Sequence, residues 1–133
     1  MADNGTSTAG APNKGMLYGG WVLTAIPGLM LLASAGGKLS QSSDLVKGFE
    51  HLGWPLTVAT PLGIVEALSA LLLLIPQTSV LGAILVTGYM GGAIATHVRI
   101  GEPFFLQLGI GVLAWAGIFL RDARLRELLP LRR

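Results

Sequence analysis

Apolar positions in this chain come in long blocks, separated by short polar segments. A helix of about twenty apolar residues spans roughly 30 Å of lipid hydrocarbon. Four blocks reach approximately that length, at about residues 16–37, 56–75, 80–96 and 104–120. The pattern therefore predicts an all-α integral membrane protein, folded as a four-transmembrane-helix bundle within residues 16–120.

The segment between the first two blocks is polar but keeps a helical stripe of apolar residues. Leu45, Phe49 and Leu52 recur at spacings of four and three, behind Ser42 and Ser43, which can cap a helix start. We expect a short interfacial helix after the first span.

The two ends of the chain differ from the blocks between them. Residues 1–15 are rich in Gly, Ala, Ser, Thr and Asn, and this composition predicts a disordered N-terminal tail. Residues 121–133 hold five of the nine cationic side chains and are predicted to form a basic juxtamembrane tail. Because cytoplasmic segments carry an excess of Lys and Arg, both termini are predicted to be cytoplasmic.

A cleavable signal peptide is the alternative interpretation of the first block. Lys14 precedes the apolar run, and residues 33–35 read Ala-Ser-Ala, which has the small-x-small form of a cleavage site. The apolar stretch is longer than a usual signal core, however, and helices rich in Gly and Ala produce such triplets by chance. A membrane span is therefore the favoured interpretation.

Composition narrows the chemistry that the chain can perform. Charged residues make up 12% of the sequence, against roughly 25% in an ordinary soluble domain, so a lipid bilayer is the expected partner. The absence of cysteine excludes thiolate-held zinc, iron–sulfur clusters and a cysteine nucleophile. We expect no metal site and no cofactor carried by the chain, and no motif indicates nucleic-acid binding.

Glu66 is the strongest single signal, since it is a carboxylate inside an apolar block. On insertion scales such a group costs about 2.5–3.5 kcal/mol at the centre of a membrane helix, so it needs a partner or a proton. Counting about 1.5 Å per residue places Glu66 some 15 Å deep, with Tyr89 and Trp115 at similar depth on later spans. Both can donate a hydrogen bond to the Glu66 carboxylate.

Other polar side chains gather at the outer ends of the spans and predict a polar mouth above Glu66. They are Lys38, His97, Arg99, Glu102 and Gln107. A direct pair between Lys38 and Glu66 requires the lysine stem to reach inward or the first helix to tilt. A haem held by His51 and His97 would require the loop helix to fold over the third span.

Two interpretations of this cluster stay open. In one, Glu66 and the mouth residues form a hydrogen-bonded network that fixes helix packing and binds nothing. In the other, they line a pocket for a quinone-like or lipid-like molecule, with Glu66 or His97 as the catalytic candidate that accepts a proton.

Small residues follow the third predicted span at helical spacing. Gly88, Gly91 and Gly92 lie among other small residues, and such rows let helix backbones approach closely in lipid. We expect these glycines to form helix-packing surfaces.

The sequence resembles the DoxX-like family of small four-helix bacterial membrane proteins. The resemblance covers nearly everything after the N-terminal tail. It rests on residues 36–39 (GGKL), 52–55 (LGWP), 65–66 (VE), 73–76 (LLIP), 82–84 (GAI), 91–99 (GGAIATHVR), 115–117 (WAG) and 120–122 (LRD).

The resemblance implies a multi-pass protein of the bacterial cytoplasmic membrane. The family takes its name from a subunit linked to thiosulfate:quinone oxidoreductase, so the resemblance also implies an accessory or quinone-facing subunit of a membrane redox or detoxifying complex. It does not imply that this chain is an enzyme by itself. The alternative hypothesis is a non-catalytic scaffold, or a lipid-packing or partner-docking protein, which could act as a homo-oligomer.

Overall fold

The computed structural model describes residues 13–129, and every regular element in that range is helical. The helices are α1 (Lys14–Ser40), α2 (Ser43–Leu52), α3 (Ala59–Leu74), α4 (Ser79–Arg99), α5 (Phe105–Arg121) and α6 (Ala123–Leu128). Short 3-10 turns at Leu56–Val58 and Pro76–Thr78 lead into α3 and α4. The prediction of an all-helical fold is confirmed for these residues.

Three helical segments are long and apolar enough to cross a membrane. They are Lys14–Ser40, Leu56–Leu74 and Pro76–Arg99. The fourth predicted span corresponds to α5, an apolar helix of 17 residues. The helices agree with a membrane helical bundle.

The first helix is longer at both ends than the predicted span 16–37. It begins at Lys14, where the side chain of Asn13 caps the helix by accepting a hydrogen bond from the Met16 backbone N–H at 2.8 Å. Of the predicted disordered tail, residues 1–12 lie outside the described part of the chain. Of the predicted basic tail, residues 130–133 do so as well.

Four helices form a closed ring. Helix α1 packs against α3 and α5, and α4 packs against the same two helices from the other side. Neighbours in the ring run in opposite directions, because Gly20 near the start of α1 meets Gly117 near the end of α5, while Lys38 near the end of α1 meets Gly63 near the start of α3. The core between them includes Leu31, Leu73, Val86, Met90, Ile110 and Ile118.

Helix α3 shows an inside-out distribution of side chains. Its buried positions are largely small or polar and include Gly63, Glu66, Ser69 and Ala70. Its large apolar side chains are exposed: Ile64, Val65, Leu68 and Leu71. A helix in water would place these side chains inside, so the distribution is that of a helix whose outer face contacts lipid.

Three glycines allow the closest helix contacts. A Cβ added to Gly82 of α4 would lie 2.1 Å from the Leu73 backbone nitrogen of α3. Where α1 meets α5, a Cβ on Gly20 or on Gly117 would lie 2.8 Å from the carbonyl oxygen of the other glycine. Backbones approach so closely here that no side chain fits between them.

The structure corrects the expectation for the glycines of the third span. An added Cβ at Gly88, Gly91 or Gly92 would meet no atom within 4 Å. These residues lie on faces of α4 that border open space instead of α3 or α5. The prediction named the correct helix, α4, but its three glycines do not lie on the face that packs against the other helices of this chain.

Helix α2 is the short helix expected after the first span. The Ser42 side chain accepts a hydrogen bond from the Leu45 backbone N–H at 3.3 Å, and Phe49 is buried on the apolar face. The helix ends at Gly53, whose φ of 76° is a left-handed conformation that glycine adopts without strain. Residues 33–35, the alternative cleavage site, lie within α1, and Ala35 is buried.

Candidate functional site

The centre of the site is a buried carboxylate with two partners. Glu66 is only 2% exposed, and its Oε2 atom lies 2.7 Å from Lys38 Nζ and 3.2 Å from the Tyr89 hydroxyl. Lys38 Nζ also donates to Ser34 Oγ, one helical turn earlier on α1, at 2.7 Å. Three helices thus contribute to one polar cluster: α1, α3 and α4.

Gly63 lets the lysine reach this cluster. An added Cβ at Gly63 would lie 3.0 Å from the Cβ of Lys38 and 3.2 Å from the side chain of Leu39. The end of α1 therefore packs directly on the α3 backbone, one turn before Glu66. From that position the lysine side chain extends inward to the carboxylate. This is one of the two ways in which the sequence allows a direct Lys38–Glu66 pair to form.

A cavity of about 650 Å³ lies above the cluster. Lys38, Glu66 and Tyr89 supply polar atoms to its wall, and most of the remaining lining is apolar. The apolar lining includes Met30, Leu31, Phe49, Leu52, Trp54, Leu62, Leu106 and Ile110. Phe49 and Leu52 both belong to α2, so this short helix covers one side of the cavity.

His97 and Gln107 form a second polar pair on the cavity wall. His97 Nδ1 lies 2.8 Å from the Ala93 carbonyl oxygen and donates to it. In the neutral ring Nε2 is then the acceptor, and the Gln107 side-chain amide lies 3.4 Å from it. Gln107 Oε1 is buried and has no hydrogen-bond partner among residues 13–129.

Trp115, predicted to donate to Glu66, and Arg99, predicted to join the polar mouth, both lie elsewhere. Trp115 does not reach Glu66, because its indole N–H donates to Thr87 Oγ1 at 2.7 Å and its ring lines a separate groove between α4 and α5. Arg99 does not line the cavity. Its guanidinium donates to the Leu52 carbonyl oxygen and so holds the end of α2.

A further contact that the sequence did not indicate joins α2 to the connection between α4 and α5. His51 on α2 pairs with Glu102, and both side chains are at least partly exposed. Both histidines thus have side-chain partners within the protein, His51 in Glu102 and His97 in Gln107. Within residues 13–129 no group of three or more His, Asp, Glu or Cys side chains could hold a metal ion.

The arrangement combines a buried, hydrogen-bonded ion pair with an apolar chamber. A carboxylate shared by an ammonium group and a phenol can exchange protons with a ligand that sits against it. The small glycines Gly88 and Gly92 border this cavity, while Gly91 borders the α4–α5 groove. Because these glycines have no side chains, both the cavity and the α4–α5 groove are wider.

Comparison with known proteins identifies one family. The sequence model of the DoxX-like family matches residues 22–119, which includes every residue of the polar cluster. Neither the curated proteins nor the solved structures gave a significant match.

Proposed function

This chain belongs to the DoxX-like family of membrane proteins, and on that premise we propose that it binds a small lipid-soluble molecule in the cavity above Glu66. The observation that carries the proposal is the ion pair of Lys38 and Glu66 on the wall of a 650 Å³ apolar chamber. Ionisable groups in a membrane interior are costly, and they are retained mostly where they serve a ligand or a proton.

The lining favours an amphipathic ligand with a hydrogen-bonding ring or head group. Ligand pockets of about 300–1,000 Å³ are typically apolar, with a few polar groups that fix orientation. Here Lys38 has one N–H donor beyond those that it gives to Ser34 and Glu66, while Gln107 Oε1 is a buried acceptor whose partner would come from the ligand. A molecule that accepts a hydrogen bond at one side and donates one at another would satisfy both groups.

A quinone and its reduced quinol fit these requirements, because the quinone oxygens can accept from Lys38 and the quinol hydroxyls can also donate to Gln107 Oε1. Glu66 lies beside the Lys38 ammonium group, where it can hold a proton. A quinone supplies two-electron redox chemistry, which the side chains of this chain do not provide. We therefore propose that the protein is the quinone-facing accessory subunit of a membrane redox or detoxifying complex, and that the second catalytic component belongs to a partner.

The proposed setting is a four-span bundle in the bacterial cytoplasmic membrane, with both termini on the cytoplasmic side. Helix α5 has 17 residues and is about 26 Å long, within the range that crosses a bilayer. Its antiparallel packing against α1 and α4 supports a fourth crossing. The cationic residues near the two termini support the orientation.

Ligand binding can be tested with Trp54, which lines the cavity. Replacing Trp21 and Trp115 with phenylalanine leaves Trp54 as the single indole, and decylubiquinone is titrated into this variant in lipid nanodiscs. We expect saturable quenching of Trp54 fluorescence. Gln107→Leu in the same background should weaken binding of the reduced form, decylubiquinol, about tenfold, since one hydrogen bond is worth about 1.4 kcal/mol.

The matched control keeps Trp115 as the single indole. Trp115 lines the groove between α4 and α5 and does not line the Glu66 cavity. Its quenching should rise linearly with quinone concentration, as expected for collisions in lipid. Linear quenching of Trp54 as well, or identical saturation in both variants, would refute a quinone site in the cavity.

The subunit role requires a separate experiment. The protein is extracted from its native membrane in mild detergent, and the associated proteins, quinones and lipids are identified by mass spectrometry. A stoichiometric redox partner is the expected result, and Glu66→Ala and His97→Ala should then lower the activity of that complex. Full activity with both substitutions would contradict the proposal.

The exposed glycines of α4 favour a second candidate function, a scaffold that packs against another chain. Gly91 is suited to test it, since Gly91 borders the outer groove and not the Glu66 cavity. If the chain is a scaffold, Gly91→Leu should disrupt an assembly while His97→Ala does not. Retention of the same assembly by Gly91→Leu would exclude a docking role for this face.

A further inference from the structure

A partly buried arginine, Arg121, lies at the opposite end of the bundle from the Glu66 cavity. Arg121 is the last residue of α5, and its side chain crosses Gly20 of α1, where an added Cβ would lie 2.3 Å from Arg121 Cγ. The guanidinium carbon lies 3.9 Å from the centre of the Trp21 ring. The absence of a side chain at Gly20 thus allows the arginine to stack on the neighbouring indole.

The Arg121 guanidinium forms no salt bridge among residues 13–129. The single hydrogen bond of its side chain in that range is a long one, from Nη2 to Ser79 Oγ at 3.4 Å, and its buried Nε atom has no partner. The adjacent Asp122 is engaged elsewhere, since its carboxylate accepts from the Arg124 backbone N–H at 2.9 Å and from Arg124 Nε at 3.4 Å. A half-buried guanidinium with unused donors requires an acceptor from outside.

We infer that Arg121 binds the phosphate group of an anionic membrane lipid. Stacking on Trp21 occupies one face of the guanidinium and leaves the in-plane N–H groups of Nη1 and the second N–H of Nη2 without a partner in the described part of the chain, and such paired N–H groups match the geometry of phosphate oxygens. Tryptophan is enriched at the headgroup level of membranes, which is where lipid phosphates lie.

The surrounding charge favours an anionic lipid over a zwitterionic one. Among residues 13–129, this end of the bundle carries Lys14, Arg121, Arg124 and Arg126 against Asp122 and Glu127. The excess is two positive charges, and basic groups near a membrane surface attract anionic lipid. This site shares no residue with the Glu66 cavity, so it does not depend on the proposed ligand there.

The test measures lipid retention by native mass spectrometry. Delipidated protein in detergent is titrated with phosphatidylglycerol or with phosphatidylcholine of the same acyl chains. We expect one phosphatidylglycerol to be retained at concentrations where phosphatidylcholine is not. Arg121→Gln should weaken that binding about tenfold, whereas Arg124→Gln, which removes an equal charge from a side chain that is 91% exposed, should weaken it less than twofold.

Three results would overturn the inference. Equal losses in Arg121→Gln and Arg124→Gln would indicate diffuse attraction, and equal retention of the two lipids would exclude a site selective for anionic lipid. Displacement of phosphatidylglycerol by millimolar inorganic phosphate would assign the site to free phosphate. If Arg121→Gln does not fold, Arg121→Lys keeps the charge without the planar fork, and unchanged retention in that variant would refute a guanidinium-specific site.

Discussion

Lys38 Nζ lies 2.7 Å from Glu66 Oε2, although the lysine is in the last turn of α1 and the carboxylate is in the middle of α3. Their side chains are 12% and 2% exposed, so the pair is largely shielded from solvent. The close packing of α1 on Gly63 brings the two helices near enough for this contact. The pair therefore links the end of α1 to the interior of the bundle.

Removing Lys38 alone should destabilise the protein strongly. Breaking a buried pair leaves an uncompensated charge, which typically costs about 3–5 kcal/mol. Because Lys38 keeps some exposure, we expect Lys38→Met to lower the free energy of unfolding by about 3 kcal/mol, measured by denaturant titration in mixed micelles.

The double variant Lys38→Met with Glu66→Leu is the control for this prediction. It removes both charges, so it should be more stable than Lys38→Met alone. Strictly additive losses would show that the two side chains do not interact in the folded protein.

Glycine substitutions distinguish the packing surfaces in the structure from those expected on sequence spacing. Gly82→Ala should destabilise the protein by about 1–3 kcal/mol or more, because the new Cβ collides with the α3 backbone at Leu73. Gly91→Ala adds the same methyl group where no atom lies within 4 Å and should be tolerated. Thermal unfolding in detergent provides the comparison, and equal melting temperatures would contradict the helix contact.

The hydrogen bond between Trp115 and Thr87 should contribute to the packing of α4 on α5. Thr87→Val and Trp115→Phe are each expected to lower the unfolding free energy, and the bond itself should account for about 0.5–2 kcal/mol of each loss. The double variant should lose less than the sum of the two. Additive losses in this cycle would mean that the bond contributes nothing measurable to stability.

Arg99 should control the mobility of α2. Its hydrogen bond to the Leu52 carbonyl oxygen and the pair of His51 with Glu102 join this helix to the end of α4 and the loop after it. In Arg99→Gln we expect faster hydrogen–deuterium exchange of the amides in Ser43–Leu52, with little change in α3. Arg124→Gln provides the control, and identical exchange in all three proteins would show that Arg99 does not anchor α2.

Reporter fusions test the number of spans and the orientation. Fusions after Pro76 and after Arg133 should both report the cytoplasm, and a fusion after Gly101 should report the opposite side. An external reading at Arg133 together with a cytoplasmic reading at Pro76 would show that α5 does not cross the membrane.

The order and composition of the helices follow from the sequence itself. Long apolar blocks are visible without any tertiary information, because a membrane helix satisfies its backbone hydrogen bonds internally and needs only length and apolar side chains. The amphipathic α2 helix was visible for the same local reason, through the spacing of Leu45, Phe49 and Leu52. Glu66 was recognisable as a buried group because its charge conflicts with the surrounding apolar block.

The partners of these residues depended on the tertiary structure. Helical rotation decides which of several small residues meets a neighbour, so Gly82 and Gly117 pack tightly while Gly88 and Gly91 face open space. Depth along a helix placed Tyr89 and Trp115 equally near Glu66, but only Tyr89 is on the helix face that points to the carboxylate. The sequence pattern gives the position of a residue along its own helix and around the axis of that helix. It does not give the rotation of one helix relative to the next, and that rotation decides which side chains reach Glu66.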